Sequence, residues 1–357
     1  LGGDYYVNID QFAERDFAAY PTMIQNDLDY FLKNGAAQTL KEGDKYGYDY
    51  YAHVRRAEAW ASGRFTSGGL EATVAGRLGY SKFWREGLLR KGLFPGLDDN
   101  GDPFTYEGNV ITKYDQTTGK PITSKGESDK KDFLTGSGKL NLSYFIRGGH
   151  RIYADAAYIT EAPTFNQSFI SPRTRNTVMP DLKTVKTLTA DINYAYSSSG
   201  YDLRITGFYT SIKDQTDVMS FYDDSQNSFT NFAMSGIDER HIGVELGFRV
   251  PTPVPNLSVQ GVLSYGKYTY TSNPTMYQTY DNSAEYVAGT YGVIIPYWKS
   301  HPTADGKTVR HYVPSTPQLA SSLGLAWNKN YWFIDADVDF FGNSYLDMNP
   351  LYRTDMA

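Results

Sequence analysis

The side chains best suited to proton chemistry near neutrality are five histidines: His53, His150, His241, His301 and His311. No pair stands at HExxH spacing, and none lies in a nucleophile motif. Acyl transfer would need a Ser–His pair with an orienting group, and no spacing here selects one. The run Asp98-Asp99-Asn100-Gly101-Asp102 has the composition of a calcium loop. The EF-hand template wants Gly at its sixth position, where Pro103 stands, so a polar turn is the better reading. The absence of cysteine removes disulfides and thiolate metal sites. No catalytic residue, metal or cofactor is expected, and the chain is not read as an enzyme.

What remains is a contact surface. Tyr277, Tyr280, Tyr286, Tyr291, Tyr297 and Trp298 crowd one polar stretch. Rigid aromatics give large contact area at low entropic cost and stack on sugars or peptides. These six are the candidate ligand contacts. The rival reading is that they pack their own stretch onto its neighbours.

The elements that position them repeat with period two. Around Gly148-Gly149-His150, the run KLNLSYFIR puts Leu140, Leu142, Tyr144 and Ile146 on one face. The return run alternates Ile152, Ala154, Ala156 and Tyr158 against Tyr153, Asp155 and Ala157. Successive strand residues face opposite sides, so this is a β-hairpin. A long polar excursion follows, and the cycle recurs. Further hairpins turn at Ser67-Gly68-Gly69, Ser198-Ser199-Gly200, Pro251 to Asn256, and Asn328-Lys329-Asn330. About ten strands in five hairpins result. Short turns alternate with long loops at about 85–132, 161–184, 213–238, 272–311 and 342–357. Residues 1–47 read as a loop segment with one short helix. Pro21-Thr22 opens it, Leu28, Phe31 and Leu32 form its stripe, and Asn34-Gly35 ends it.

Composition narrows the class. The chain has 357 residues, 31 Tyr, 33 Gly and a formal net charge of −6. Mild acidity without a Lys/Arg block argues against a nucleic-acid partner. No apolar run reaches the roughly 18 residues of a membrane helix. A barrel strand needs only about 9–11 tilted residues, apolar at alternate positions, and strictly segregated loop lengths suit an outer-membrane barrel. Aromatic pairs near strand ends, Phe83/Trp84, Tyr194/Tyr196, Tyr268/Tyr270 and Trp327/Trp332, suit the two headgroup belts. A basic residue on the lipid side costs about 2–4 kcal/mol at the midplane. The charged face must then look into the lumen: Arg56, Glu58, Arg64, Glu71, Arg77, Asp155, Asp191, Arg204, Glu245, Arg249, Asp335, Asp337 and Asp339.

Three stretches carry a resemblance. YITEAPTFNQSFISPRTRN (158–176), NFAMSGIDERHIGVE (231–245) and the tail SYLDMNPLYRTDMA are similar to segments of TonB-dependent outer-membrane receptors, the tail to the Bacteroidota type. The resemblance implies an all-β fold: part of a large antiparallel transmembrane barrel over residues 48–357, 22-stranded in the family, with short periplasmic turns and long extracellular loops. It implies uptake of a scarce solute (glycan, peptide, siderophore or vitamin), with the outer-membrane lipid around the wall. It also implies coupling to the TonB–ExbB–ExbD complex through a plug that this chain does not show, and leaves a surface lipoprotein partner open. About ten strands and no closing aromatic residue lead us to expect a chain truncated at both ends. Two rivals stand beside this: a passive porin or structural barrel, and a secreted β-sandwich binding module.

Overall fold

The computed structural model describes residues 24–40, 44–115, 118–281, 283 and 285–346. Ten long strands form one antiparallel meander: β1 (Tyr50–Ser67), β2 (Leu70–Gly87), β3 (Lys131–Ile146), β4 (His150–Glu161), β5 (Val185–Ser198), β6 (Tyr201–Asp223), β7 (Ser228–Pro251), β8 (Leu257–Tyr270), β9 (Leu319–Lys329) and β10 (Trp332–Gly342). Each pairs with its predecessor and successor along this path; in addition β7 pairs with Thr275–Tyr280 and β2 with Gly126–Glu127. The expected turns are where the alternation put them. Gly149 is obligatory in its turn: it sits at φ 85°, and a Cβ there would lie 2.2 Å from the Ser197 carbonyl oxygen.

Register fixes the two faces. Asn141, Asp155, Asp191 and Phe208 lie directly opposite one another from β3 to β6. The same face carries Arg204 beside Gly247, Glu245 beside Ser264, and Asp337 beside Gly324. All thirteen charged residues expected on one side fall there, from Arg56 and Arg77 on β1 and β2 to Asp339 on β10. They are knitted laterally: Arg64 meets Glu71 at 2.6 Å, Arg77 meets Glu58 at 3.3 Å, and Asn141 donates to Asp155 at 2.8 Å. Short polar side chains of this face, Ser143, Asn193 and Thr206, are buried. That crowding marks the concave side of a curved sheet.

The other face is aliphatic and bare. Leu78 is 77% exposed, Leu134 80% and Val338 75%, with Ile192, Val244 and Leu323 between them. Among the described residues no second sheet covers these rows, so they do not form one half of a sandwich. A continuous apolar surface across ten strands is far larger than a soluble monomer leaves in water. It is the surface that meets hydrocarbon.

Several expectations need correction. Phe83 and Tyr268 are not belt residues: Phe83 pairs with Lys131, and Tyr268 with His241, on the charged face. Tyr270 is buried against Trp298. The expected Tyr196, Trp327 and Trp332 do point outward, level with Tyr144, and the other level is formed by the outward Tyr80, Tyr158, Tyr209 and Tyr265. The stretch 213–238 is no irregular loop. β6 and β7 stay paired to Asp223 and Ser228, past a register shift between Ile212 and Gln215. In 272–311 two hairpins form, Thr275–Tyr280 with Tyr286–Ile294 and Ser300–Pro302 with Thr308–Arg310. The short helix α1 spans Leu28–Asn34, capped by Asp27 and ended by Gly35 in the left-handed region. Its opening is thus six residues after Pro21-Thr22, which lie outside the described residues, as does the tail from 347.

Candidate functional site

The long connections lie at one end of the wall and fold over its charged face. The short turns occupy the other end. Near the outer end of β2 the charged-face residues Phe83 and Arg85 are buried. Phe83 is covered by Phe133, Phe165 and Phe169, rings contributed by β3 and by the segment 161–184.

Arg85 is the post on which the roof rests. Its Nε donates to the Pro172 carbonyl at 2.7 Å, and its Nη1 donates to the Ser124 carbonyl at 2.8 Å and to Asn176 Oδ1. One planar fork thereby holds two loops to the wall. Burial pulls its pKa down to about 10.

The segment 161–184 is the keystone between its neighbours. The Asn176 backbone N–H donates to the Thr123 carbonyl at 2.8 Å, and its side chain to the Gly126 carbonyl at 2.9 Å. Arg175, fully buried, donates to Thr279 Oγ1 at 2.8 Å and lies 5.3 Å over the Phe94 ring. Burial lowers it too, to about 10, against the opposing pull of Asp281. Ile170 and Met179 pack with Ala233 of β7 and Tyr277 of the Thr275–Tyr280 strand. Three connections far apart in sequence are thus one body.

Between them opens a cavity of about 790 Å³, bounded by Asp115, Lys120, Phe133, Asn176, Asp181, Tyr286 and Tyr291 among others. It offers carboxylates, an ammonium, an amide and ring faces at the outer mouth of the wall. Such a mixture can hydrogen-bond a polar solute and stack on its flat parts. It offers no base–nucleophile pair.

The six aromatic candidates divide. Tyr286 and Tyr291 line the cavity, with rings 4.6 Å apart and nearly perpendicular. Tyr277 is buried and donates its hydroxyl to Asp181 Oδ2 at 2.7 Å. Trp298 is buried in a cluster with Phe232, Met234 and Tyr270. Tyr280 donates to Gln226 Oε1 at 2.6 Å. Tyr297 is half-buried with φ 62°. The sequence gives no hint of Asp115, Lys120 or Asp181 as cavity residues, since each belongs to an unpatterned polar run. Arg175 and Asn176 end one of the three quoted stretches, yet their partners lie 50 to 106 residues away along the chain.

The family model described as TonB dependent receptor-like, beta-barrel matches residues 2–357. No curated protein matches. Among solved structures the chain is similar to the copper transporter OprC, at 14% identity and TM-score 0.49, over 81% of this chain and 35% of that one. It is also similar to the ferric-catecholate import receptor Fiu from K12 E. coli, at 14% identity and TM-score 0.48, over 85% and 36%. A third is the ferric enterobactin receptor PfeA, at 12% identity and TM-score 0.31, over 86% and 50%. The chain spans about a third of the length of the first two. At these identities the likeness is one of fold alone.

Proposed function

Because the chain belongs to the TonB-dependent receptor β-barrel family, we propose that it serves as wall and outer loops of an active importer. The solute is scarce and polar: a glycan, peptide, siderophore or vitamin. The wall stands in the bacterial outer membrane, an antiparallel β-barrel portion with lipid on its aliphatic face. In this reading residues 48–357 are barrel and loops, and residues 1–47 belong to the outer surface. Solute first meets the cavity edged by Tyr286 and Tyr291. Energy comes from TonB–ExbB–ExbD acting through a plug elsewhere in the receptor. The tail SYLDMNPLYRTDMA favours the Bacteroidota type, in which a surface lipoprotein can join the assembly.

The observation that carries the reading is the cavity itself. It lies over the charged, lumen-facing side of the wall and is built from loops clamped by Arg85 and Arg175. A passive pore would gain nothing from roofing its mouth with three interlocked loops. The test is uptake of labelled solutes by cells carrying the full-length receptor, with and without functional TonB. A ferric siderophore, cobalamin, a maltooligosaccharide and an oligopeptide cover the four classes. Accumulation of one of them only with TonB supports the importer; TonB-independent entry of all four would make it a porin.

A further inference from the structure

On the aliphatic face, away from the short turns, charge begins along one line. Following outward residues from the turn end of each strand, the first charge on β1 is Arg55, on β2 Lys82, on β5 Lys186, on β7 Arg240 and on β8 Lys267. On β6 it is Lys213, opposite Lys186; β3 departs, with Asp132 opposite Lys82, and β9 carries Lys329 at its short turn. These positions do not share a hydrogen-bonded row. Lys267 is linked through Ile242, Tyr209, Ala190, Ala156, Leu140 and Val74 to Gly63, and Arg55 lies eight residues beyond Gly63 along β1. A drift of eight residues over seven strand steps means a strand tilt of about 38°, given a rise near 3.3 Å and a spacing near 4.8 Å. Barrels in membranes tilt by about 35–45°. Once tilt is allowed for, the five cations stand at one height, just above the outer belt of Tyr80, Tyr158, Tyr209 and Tyr265.

Two of the five are already engaged, and Lys82 stands opposite Asp132. Lys186 pairs with Asp214 at 2.7 Å, and Arg55 lies 5.0 Å over the Trp84 ring. Arg240 and Lys267 differ. They project from neighbouring strands, and neither has a carboxylate partner among the described residues. The Nε of Arg240 is buried without a hydrogen-bond partner. Two neighbouring cations in that state call for an anion. Directly below them runs a groove of about 680 Å³ whose lining includes Ile192, Gly207, Val244 and Tyr265, with Lys267 at its rim. Gly207 makes the trough: around it the nearest atom a Cβ would meet is Ile192 Cγ2 at 3.9 Å.

We propose that Arg240 and Lys267 bind the phosphate of an outer-leaflet lipid, one of whose acyl chains lies in the trough over Gly207. The height of the pair matches the headgroup layer, the charge matches a phosphate, and the apolar trough continues toward the membrane interior. A soluble anion would use the cations and leave the trough empty.

The test uses the full-length receptor in detergent, titrated with bis-phosphorylated lipid A and read by native mass spectrometry. One lipid per receptor is expected, with affinity falling roughly tenfold or more in the Arg240→Gln/Lys267→Gln double variant. Gly207→Leu, which fills the trough and keeps both charges, should weaken binding likewise. Arg240→Lys should retain it, and Lys186→Gln should leave it unchanged. Heat-modified electrophoretic mobility confirms that each variant is a folded barrel. Undiminished binding by the double variant, equal binding of dephosphorylated lipid A, or displacement by equimolar inorganic phosphate would each overturn the proposal.

Discussion

The Tyr277 hydroxyl donates to Asp181 Oδ2 at 2.7 Å, joining loops that are 96 residues apart in the chain. Tyr277 is also buried against Ile170 and Met179, so its ring and its hydroxyl serve the same joint. Tyr277→Phe keeps the ring and leaves the exposed Asp181 carboxylate to water. A lost bond to a charged acceptor is worth about 1.5–3 kcal/mol. Amide exchange in 168–182 should speed up, while barrel yield stays at the wild-type level. Unaltered exchange there would mean that the ring alone makes the joint.

The same loops should come loose in alkali. Burial first, and then the bond to Asp181, holds the Tyr277 phenol above its usual range. Burial, reinforced by Asp115 and Tyr291, does so for Tyr286. The folded loops keep protons that the unfolded chain releases near pH 10. Their stabilising share is therefore complete below pH 10 and is lost as pH rises through the raised folded values. Limited proteolysis of 161–184 and 272–311 should increase above about pH 10. In the Tyr277→Phe/Tyr286→Phe receptor that increase should flatten. An identical alkaline step in both proteins would assign it to other groups.

Arg85 should tolerate not even lysine. Its fork serves two backbone carbonyls and the Asn176 amide from a site that is 1% exposed. An ammonium cannot reproduce that planar geometry, and each stranded acceptor costs about 1–3 kcal/mol. Arg85→Lys should release both clamped loops together, seen as parallel loss of exchange protection in 122–128 and 170–177. Loss in one stretch alone would show that the loops dock independently.

Two wall glycines should respond in opposite ways to a methyl group. At Gly243 a Cβ would lie 2.7 Å from Phe208 Cζ and 2.6 Å from the Tyr265 carbonyl oxygen. Phe208 lies over this bare backbone, so Gly243→Ala must displace the ring and should lower folded yield by overpacking, at about 1–3 kcal/mol. Gly207→Ala has room and should be near neutral. Equal yields would show that the Phe208 ring moves freely.

The wall was readable because one face is wet and the other greasy along ten strands. Alternation such as Trp332, Ile334, Ala336 and Val338 against Asp335, Asp337 and Asp339 survives only under that asymmetry. Where both sides are covered the signal disappears. Phe232, Ala233 and Met234 are consecutive and all buried, so the outer half of β7 shows no period and reads as loop. The register shift after Ile212 hides the outer half of β6 in the same way. Phe83 could have been placed correctly from sequence, since adjacent strand residues cannot share a belt with each other. The cavity was not readable: Asn176, Phe94 and Thr279 meet only because three loops interlock.

The shift between Ile212 and Gln215 divides the longest hairpin at the membrane's edge. Beyond it, about ten residues of each strand continue outward, a reach of roughly 30 Å at 3.3 Å per residue. The Thr275–Tyr280 strand is hydrogen-bonded along that outer part, from Thr230 to Ser235. The hairpin and its passenger form a vane whose base is the register shift, tied there by Asp238 to Asp214 and Ser272. A blow to the tip would swing the vane as a unit and reach Tyr277 and its joint to Asp181, while the lipid-embedded ladder beneath stays still.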